Sequence, residues 1–210
     1  MILALLLAQA SAVDAERAFA ADAQARGQWT AFRKWSTADA TMFDPQPVKA
    51  HDFLRDRADP PRSVEWRPAR SFVSCDGRMA ANTGPWRAGG HGYFSTIWSK
   101  QPEGGWKWTV DGGDATKEPK FGWDAEPVVR RASCVRGAGG PPPPIQHIAP
   151  LPGRSSRGIS LDGTLYWSWH VAPNGARHFS VNLWNGEGYD TVIDDSVAAP
   201  PPKPAAAPTP

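Results

Sequence analysis

The sequence predicts an α+β fold in which helices come first and a run of antiparallel strands follows. Three observations carry that prediction. Residues 14–26, DAERAFAADAQAR, are rich in Ala, Glu and Arg and stop at Gly27, the composition and end signal of a helix. Residues 64–114 carry strand-like runs separated by the turn signals Asp76-Gly77 and Gln101–Gly105, as half-buried strands require. Leu165–Leu183 repeats that pattern around Pro173-Asn174-Gly175, which marks a further hairpin.

Taken in order, the chain opens with an apolar run from Ile2 to Leu7 followed by Ala10-Ser11-Ala12. A small-x-small triplet after such a run reads as an export signal over residues 1–12, or as an apolar lead-in to the first helix. Within the helix, Phe19 and Ala23 lie four apart on one face. A second helix runs from Gln28 to about Ser36 with Trp29, Phe32 and Trp35 along one side, and Asp39 is expected at the turn into Ala40–Phe43. Pro45 and Pro47 exclude a helix through their segment. His51–Ala58 reads as a short helix that ends before Pro60-Pro61.

The strands follow. Val64–Cys75 and Arg78–Trp86 form a hairpin across Asp76-Gly77. Tyr93–Lys100 pairs with Trp106–Asp111; placing Lys100 against Trp106 sets Trp98 opposite Trp108 and Thr96 opposite Val110. One face then carries Phe94, Trp98, Trp106, Trp108 and Val110 and is buried. The other carries Tyr93, Ser95, Ile97, Lys107, Thr109 and Asp111. Residues 115–152, with GAGGPPPP at Gly137–Pro144, read as an irregular linker. Residues 153–197 hold the last hairpin. A three-residue Pro173-Asn174-Gly175 turn with Gly175 left-handed pairs Trp169 with Phe179, Trp167 with Val181 and Leu165 with Leu183, and makes one face wholly apolar. Such a face docks on the main sheet or on another chain. Residues 198–210, AAPPPKPAAAPTP, lack the apolar content to order themselves.

Composition narrows the function. With 210 residues the chain suits one principal domain, here residues 13–114. Its 23 basic and 21 acidic residues are scattered, which argues against nucleic acid as a partner. No run approaches the roughly 20 apolar residues of a membrane span. The 11 tryptophans are where binding is first sought. Cys75 and Cys134 suit an exported protein with one disulfide, periplasmic or secreted, or are two separate buried thiols. Two cysteines alone make no zinc site, and no G-x-S-x-G marks a serine nucleophile.

The stretches ERAFAADAQARG, STADATMF, TGPW (Thr83–Trp86) and GYFSTIWSKQPEGGWKWTVDGG resemble the nuclear-transport-factor-2-like superfamily, which includes SnoaL-like polyketide cyclases and ketosteroid isomerases. They look most like its uncharacterised branch of exported bacterial proteins. The resemblance covers residues 14–114. It implies a cone, a curved antiparallel sheet wrapped around the N-terminal helices, with an aromatic-lined pocket at its open end. In the family's enzymes a carboxylate there acts as base and an acidic or phenolic group stabilises the enolate. Related cones also pair through the sheet into homodimers, a surface that the C-terminal hairpin is placed to occupy. No cofactor or metal is implied.

Within that frame Asp39 and Asp44 are the candidate bases and His91 and Tyr93 the candidate donors. Asp111 is a third carboxylate near the pocket, placed by the register on the face away from the aromatic stripe. Trp66, Trp86, Trp98 and Trp108 are candidate ligand-binding residues, with Trp86 at the pocket lip; core packing competes for Trp98 and Trp108. His170 and His178 face each other and form a polar pair or two metal ligands. The expected role is binding of a small apolar molecule or a protein partner. The alternatives are an isomerase or cyclase that abstracts a proton next to a carbonyl, and a structural module of the cell envelope.

Overall fold

The computed structural model describes residues 10–135 and 153–201. Most of the export-signal segment, the Gly137–Pro144 run and nearly all of the Pro/Ala tail lie outside the described residues.

Helix α1 (Ala12–Arg26) begins two residues earlier than its composition suggests. Ser11 caps it: its hydroxyl accepts from the Asp14 amide at 3.1 Å while the Asp14 carboxylate accepts from the Ser11 amide at 2.9 Å, a reciprocal capping box. Ser11 and Ala12, assigned by composition to the leader, are thus part of the helix start. Gly27, at φ 107, ends α1 and leads directly into α2 (Gln28–Trp35). The left-handed half of backbone space is open to glycine without strain. Two strands, β1 (Ser36–Asp44) and the shorter β2 (Gln46–Lys49), precede α3 (Ala50–Leu54).

The remaining strands are β3 (Glu65–Trp66), β4 (Arg70–Val73), β5 (Met79–Arg87), β6 (His91–Lys100), β7 (Trp106–Ala115), β8 (Val128–Arg131), β9 (Arg154–Ile159), β10 (Leu165–Val171), β11 (Arg177–Trp184) and β12 (Tyr189–Val197). The main sheet is curved and runs β2-β1-β7-β6-β5-β4-β8, with β3 also on β5. It is mixed, not purely antiparallel: β1 runs parallel to β7 and β8 parallel to β4. Asp39 therefore lies inside strand β1 and not at a turn. The hairpin at Asp76-Gly77 is present, but Ser74 pairs with Met79 across a four-residue loop, because the Asp76 carboxylate accepts from the Ser74 hydroxyl and the Arg78 amide.

One face of this sheet packs on the helices. Phe19 of α1 is the hub, with ring centroids 4.8 Å from Phe32 and Trp66, 6.0 Å from Trp98 and 6.5 Å from Trp108. The opposite face, with Phe72, Ala81, Ile97 and Val110, packs on the C-terminal strands. Those strands are not a lone hairpin but a four-stranded antiparallel sheet in the order β12-β11-β10-β9. Its central register matches the sequence reading: Leu165 opposes Leu183, Trp167 Val181 and Trp169 Phe179, with Gly175 at φ 89. The segment read as linker also contains a strand, β8. Cys134, just beyond β8, is disulfide-bonded to Cys75 with the Cα atoms 5.2 Å apart.

Among the described residues no helix is long and apolar enough to cross a membrane.

Candidate functional site

The site is created by one extra residue. Lys100 opposes Trp106 and Trp98 opposes Trp108, but Ile97 then opposes Val110 and Thr96 opposes Asp111. Thr109 is the additional residue, a β-bulge that inverts the alternation of side chains beyond it. Val110, expected among the tryptophans, joins Ile97 in the core under the C-terminal sheet. Asp111, expected on that outer face, joins Thr96 on the helix side. The Thr96 hydroxyl donates to its Oδ2 at 2.8 Å; Oδ1 takes no hydrogen bond among the described residues.

Asp111 lines a cavity of about 250 Å³ together with Gln28, Phe32, Met42, Val64, Trp66, Trp86, Phe94 and Asp114. Burial pushes the Asp111 carboxyl up to about 7, against the lowering effect of the Thr96 bond, since a desolvated carboxylate is disfavoured. Gly92 sets the Trp86 wall. A Cβ there would lie 2.6 Å from the indole carbons and 2.1 Å from the Asp114 carbonyl oxygen, so only glycine lets the ring lie against β6. The Trp86 Nε1 proton goes to the Tyr93 carbonyl at 3.1 Å, and the Val64 amide donates to Gln28 Oε1 at 3.0 Å.

A second buried carboxyl stands behind this wall. Glu16 of α1 is fully buried. Its Oε1 accepts from Trp66 Nε1 at 2.9 Å, and its Oε2 from Trp98 Nε1 at 2.7 Å and Asn82 Nδ2 at 3.2 Å. Burial raises it to about 7; the three N–H donors oppose that rise and the charge of Asp111 adds to it. Ala12, Glu16, Phe19 and Ala23 share one face of α1, so a polar residue within an otherwise apolar stripe was the available signal.

The sequence candidates divide. Trp66 and Trp86 line the cavity. Trp98 and Trp108 do not: both are fully buried in the aromatic core. Asp39 and Asp44 are exposed on β1, and Asp44 faces Arg57 at 3.8 Å, so neither candidate base reaches the cavity. His91 sits at the sheet end, its Nε2 3.2 Å from the Lys117 carbonyl oxygen. Tyr93 borders the cavity but is buried toward the second sheet under the Lys120 ammonium, 4.1 Å from the ring centre; burial drives its hydroxyl up and keeps it neutral. His170 opposes His178, as expected, but His178 Nε2 meets Asp194 at 2.5 Å. Among the described residues no group of three or more His, Cys, Asp or Glu is arranged to hold a metal.

A larger cleft of about 520 Å³ lies outside, between α1 and Trp123–Pro127. Its arginines are paired, Arg17 with Glu126 at 3.0 Å and Arg67 with Asp124 at 3.3 Å, and exposed pairs of this kind leave little net charge for a ligand. The cavity under Trp86 is smaller but holds the desolvated carboxyl, and is the better candidate.

No protein-family model matches this chain, and no curated protein matches it. A comparison with solved structures finds similarity to a protein from Parabacteroides distasonis ATCC 8503 described as a "putative ketosteroid isomerase". It is 15% identical, with a TM-score of 0.40, over 51% of this chain and 89% of the other.

Proposed function

We propose that residues 12–115 form a nuclear-transport-factor-2-like cone that binds a small, flat, largely apolar molecule, with Asp111 as its polar anchor. The observation that carries this reading is the Asp111 carboxyl on an aromatic-walled cavity, with one oxygen held by Thr96 and the other unclaimed. Apolar walls around one or two convergent polar groups are the usual make-up of a small-molecule site. The helix layer in the concavity of a curved sheet supports the cone. The Cys75–Cys134 bond supports a periplasmic or secreted location. A thermal-shift screen of small aromatic compounds tests the binding. Trp86→Ala is expected to weaken any hit about tenfold by removing one wall; equal affinities in both proteins would rule this cavity out.

A second reading is proton abstraction next to a carbonyl. The position of Asp111 favours it, because a carboxyl titrating near 7 is matched to taking a proton at neutral pH. The reaction would also need a donor at the carbonyl oxygen. Trp66 Nε1 and Trp86 Nε1 are both committed to protein acceptors, which leaves the Gln28 side-chain amide as the N–H donor on the lining; with no charged donor among the lining residues, binding ranks first. Exchange of the α-protons of a bound cyclic ketone in D2O, followed by NMR, separates the two readings. Catalysed exchange that Asp111→Asn abolishes is the enzyme's signature, and its absence at saturating ketone leaves binding alone.

A further inference from the structure

The cavity has a sign. Two of its lining residues are carboxylic, Asp111 and Asp114, and among the described residues no Lys, Arg or His lines it. The walls of Phe32, Trp66, Trp86 and Phe94 present aromatic rings, whose faces are electron-rich and attract cations. The surrounding charges do not reverse this. Arg177 lies beyond the sheet, bonded to the Gly113 carbonyl and 4.9 Å from the Phe43 ring, and it interacts with Asp114, not with Asp111. Glu16, behind the wall, adds negative charge when ionised, and Tyr93 stays neutral.

We propose that the ligand of this cavity is an organic cation: an amine or quaternary ammonium whose apolar body lies between Trp86, Phe32 and Phe94 and whose charged head meets the free oxygen of Asp111. This rests on the cavity being a binding site, and adds the charge of what it binds. A neutral carbonyl compound would leave an ionised Asp111 without a counter-charge, and an anion would face the carboxylates of Asp111 and Asp114. At about 250 Å³ the cavity admits one or two fused rings with a short side chain. The two charge classes also differ in the sign of their pH dependence. A cation needs Asp111 ionised, so its affinity rises from pH 6 to pH 8. A ligand accepting a hydrogen bond from protonated Asp111 weakens over the same range.

Calorimetric titration of the full chain with matched probes tests the assignment: tryptamine, tryptophol and indole-3-acetate, then 2-phenylethylamine, 2-phenylethanol and phenylacetate. Within each series the amine is expected to bind about tenfold tighter than the alcohol, with the acid weakest. Asp111→Asn is expected to bring the amine down to the level of the alcohol, with circular dichroism and thermal unfolding showing that the variant is folded. An alcohol or acid that binds as tightly as its amine overturns the charge assignment while the binding site stands. So does an amine unaffected by Asp111→Asn. No binding by either series at millimolar concentration removes the binding site as well.

Discussion

Glu16→Ala is expected to lower folding stability by about 4 kcal/mol, which urea unfolding of wild type and variant would read directly. The side chain is fully buried and accepts from two indoles and one amide. Removing it strands three donors in an apolar core and leaves a void beside Phe19. Glu16→Gln retains one acceptor oxygen, and a loss of about half that size is expected. A cost below about 1 kcal/mol for alanine would mean that the three donors find partners elsewhere. The same carboxyl gives stability a pH slope. The folded state binds this proton more tightly than the unfolded chain, whose ordinary value is 4.5, so the contribution is complete below 4.5 and is lost as pH rises toward about 7. Asp111 acts with the same sign. Asp59, held below the ordinary range chiefly by the Thr30 hydroxyl, acts oppositely and only under more acid conditions. Stability should therefore fall between pH 4.5 and 7 in the wild type and fall less steeply in Glu16→Gln.

Loss of the Cys75–Cys134 bond is expected to cost about as much. The bond closes a loop with a sequence separation of 59, for which the constraint on the unfolded chain amounts to about 4 kcal/mol. Its structural effect is local. Strand β8 pairs in the sheet only with β4, all four of its residues are exposed, Val128 and Val129 are 66% and 59% accessible, and its side chains reach Asp190 and the Cys75 carbonyl through Arg130 and Arg131. Besides the disulfide, buried Ala132 and the bonds that tie Ser133 and Val135 to Trp184 hold its C-terminal end. The Cys75→Ser, Cys134→Ser double variant should unfold at lower urea and exchange its β8 amide protons faster than those of β6. Equal unfolding midpoints with and without a reductant that opens the bond would show that the disulfide adds nothing to what the other contacts of this segment supply.

Legibility followed sequence distance. α1 is local, with its end set by Gly27, and the β10–β11 register followed from one turn and one apolar face, so both were readable. The parallel pairings of β1 with β7 and β4 with β8 join segments far apart in sequence and carry no local mark. VVRR is too short to declare itself a strand, and β9, Arg154–Ile159, has too few apolar side chains. The decisive miss was Thr109. A bulge of this type needs no special residue, and regular alternation placed Asp111 outside, which left Asp39 and Asp44, both exposed on β1, as the candidate bases. The tryptophans were the right residue type, but the sequence could not distinguish those that fill the core, Trp98 and Trp108, from those that bound an opening, Trp66 and Trp86.

The two-sheet arrangement has a consequence during synthesis. Phe72, Ala81, Ile97 and Val110 emerge from the ribosome well before Trp167, Val181 and Ile193, the residues that cover them. For that interval the nascent chain carries a greasy, unshielded sheet surface. Contacts so distant in sequence form late and leave intermediates prone to clumping. A chaperone that engages this surface until residue 193 arrives would meet the period of greatest exposure.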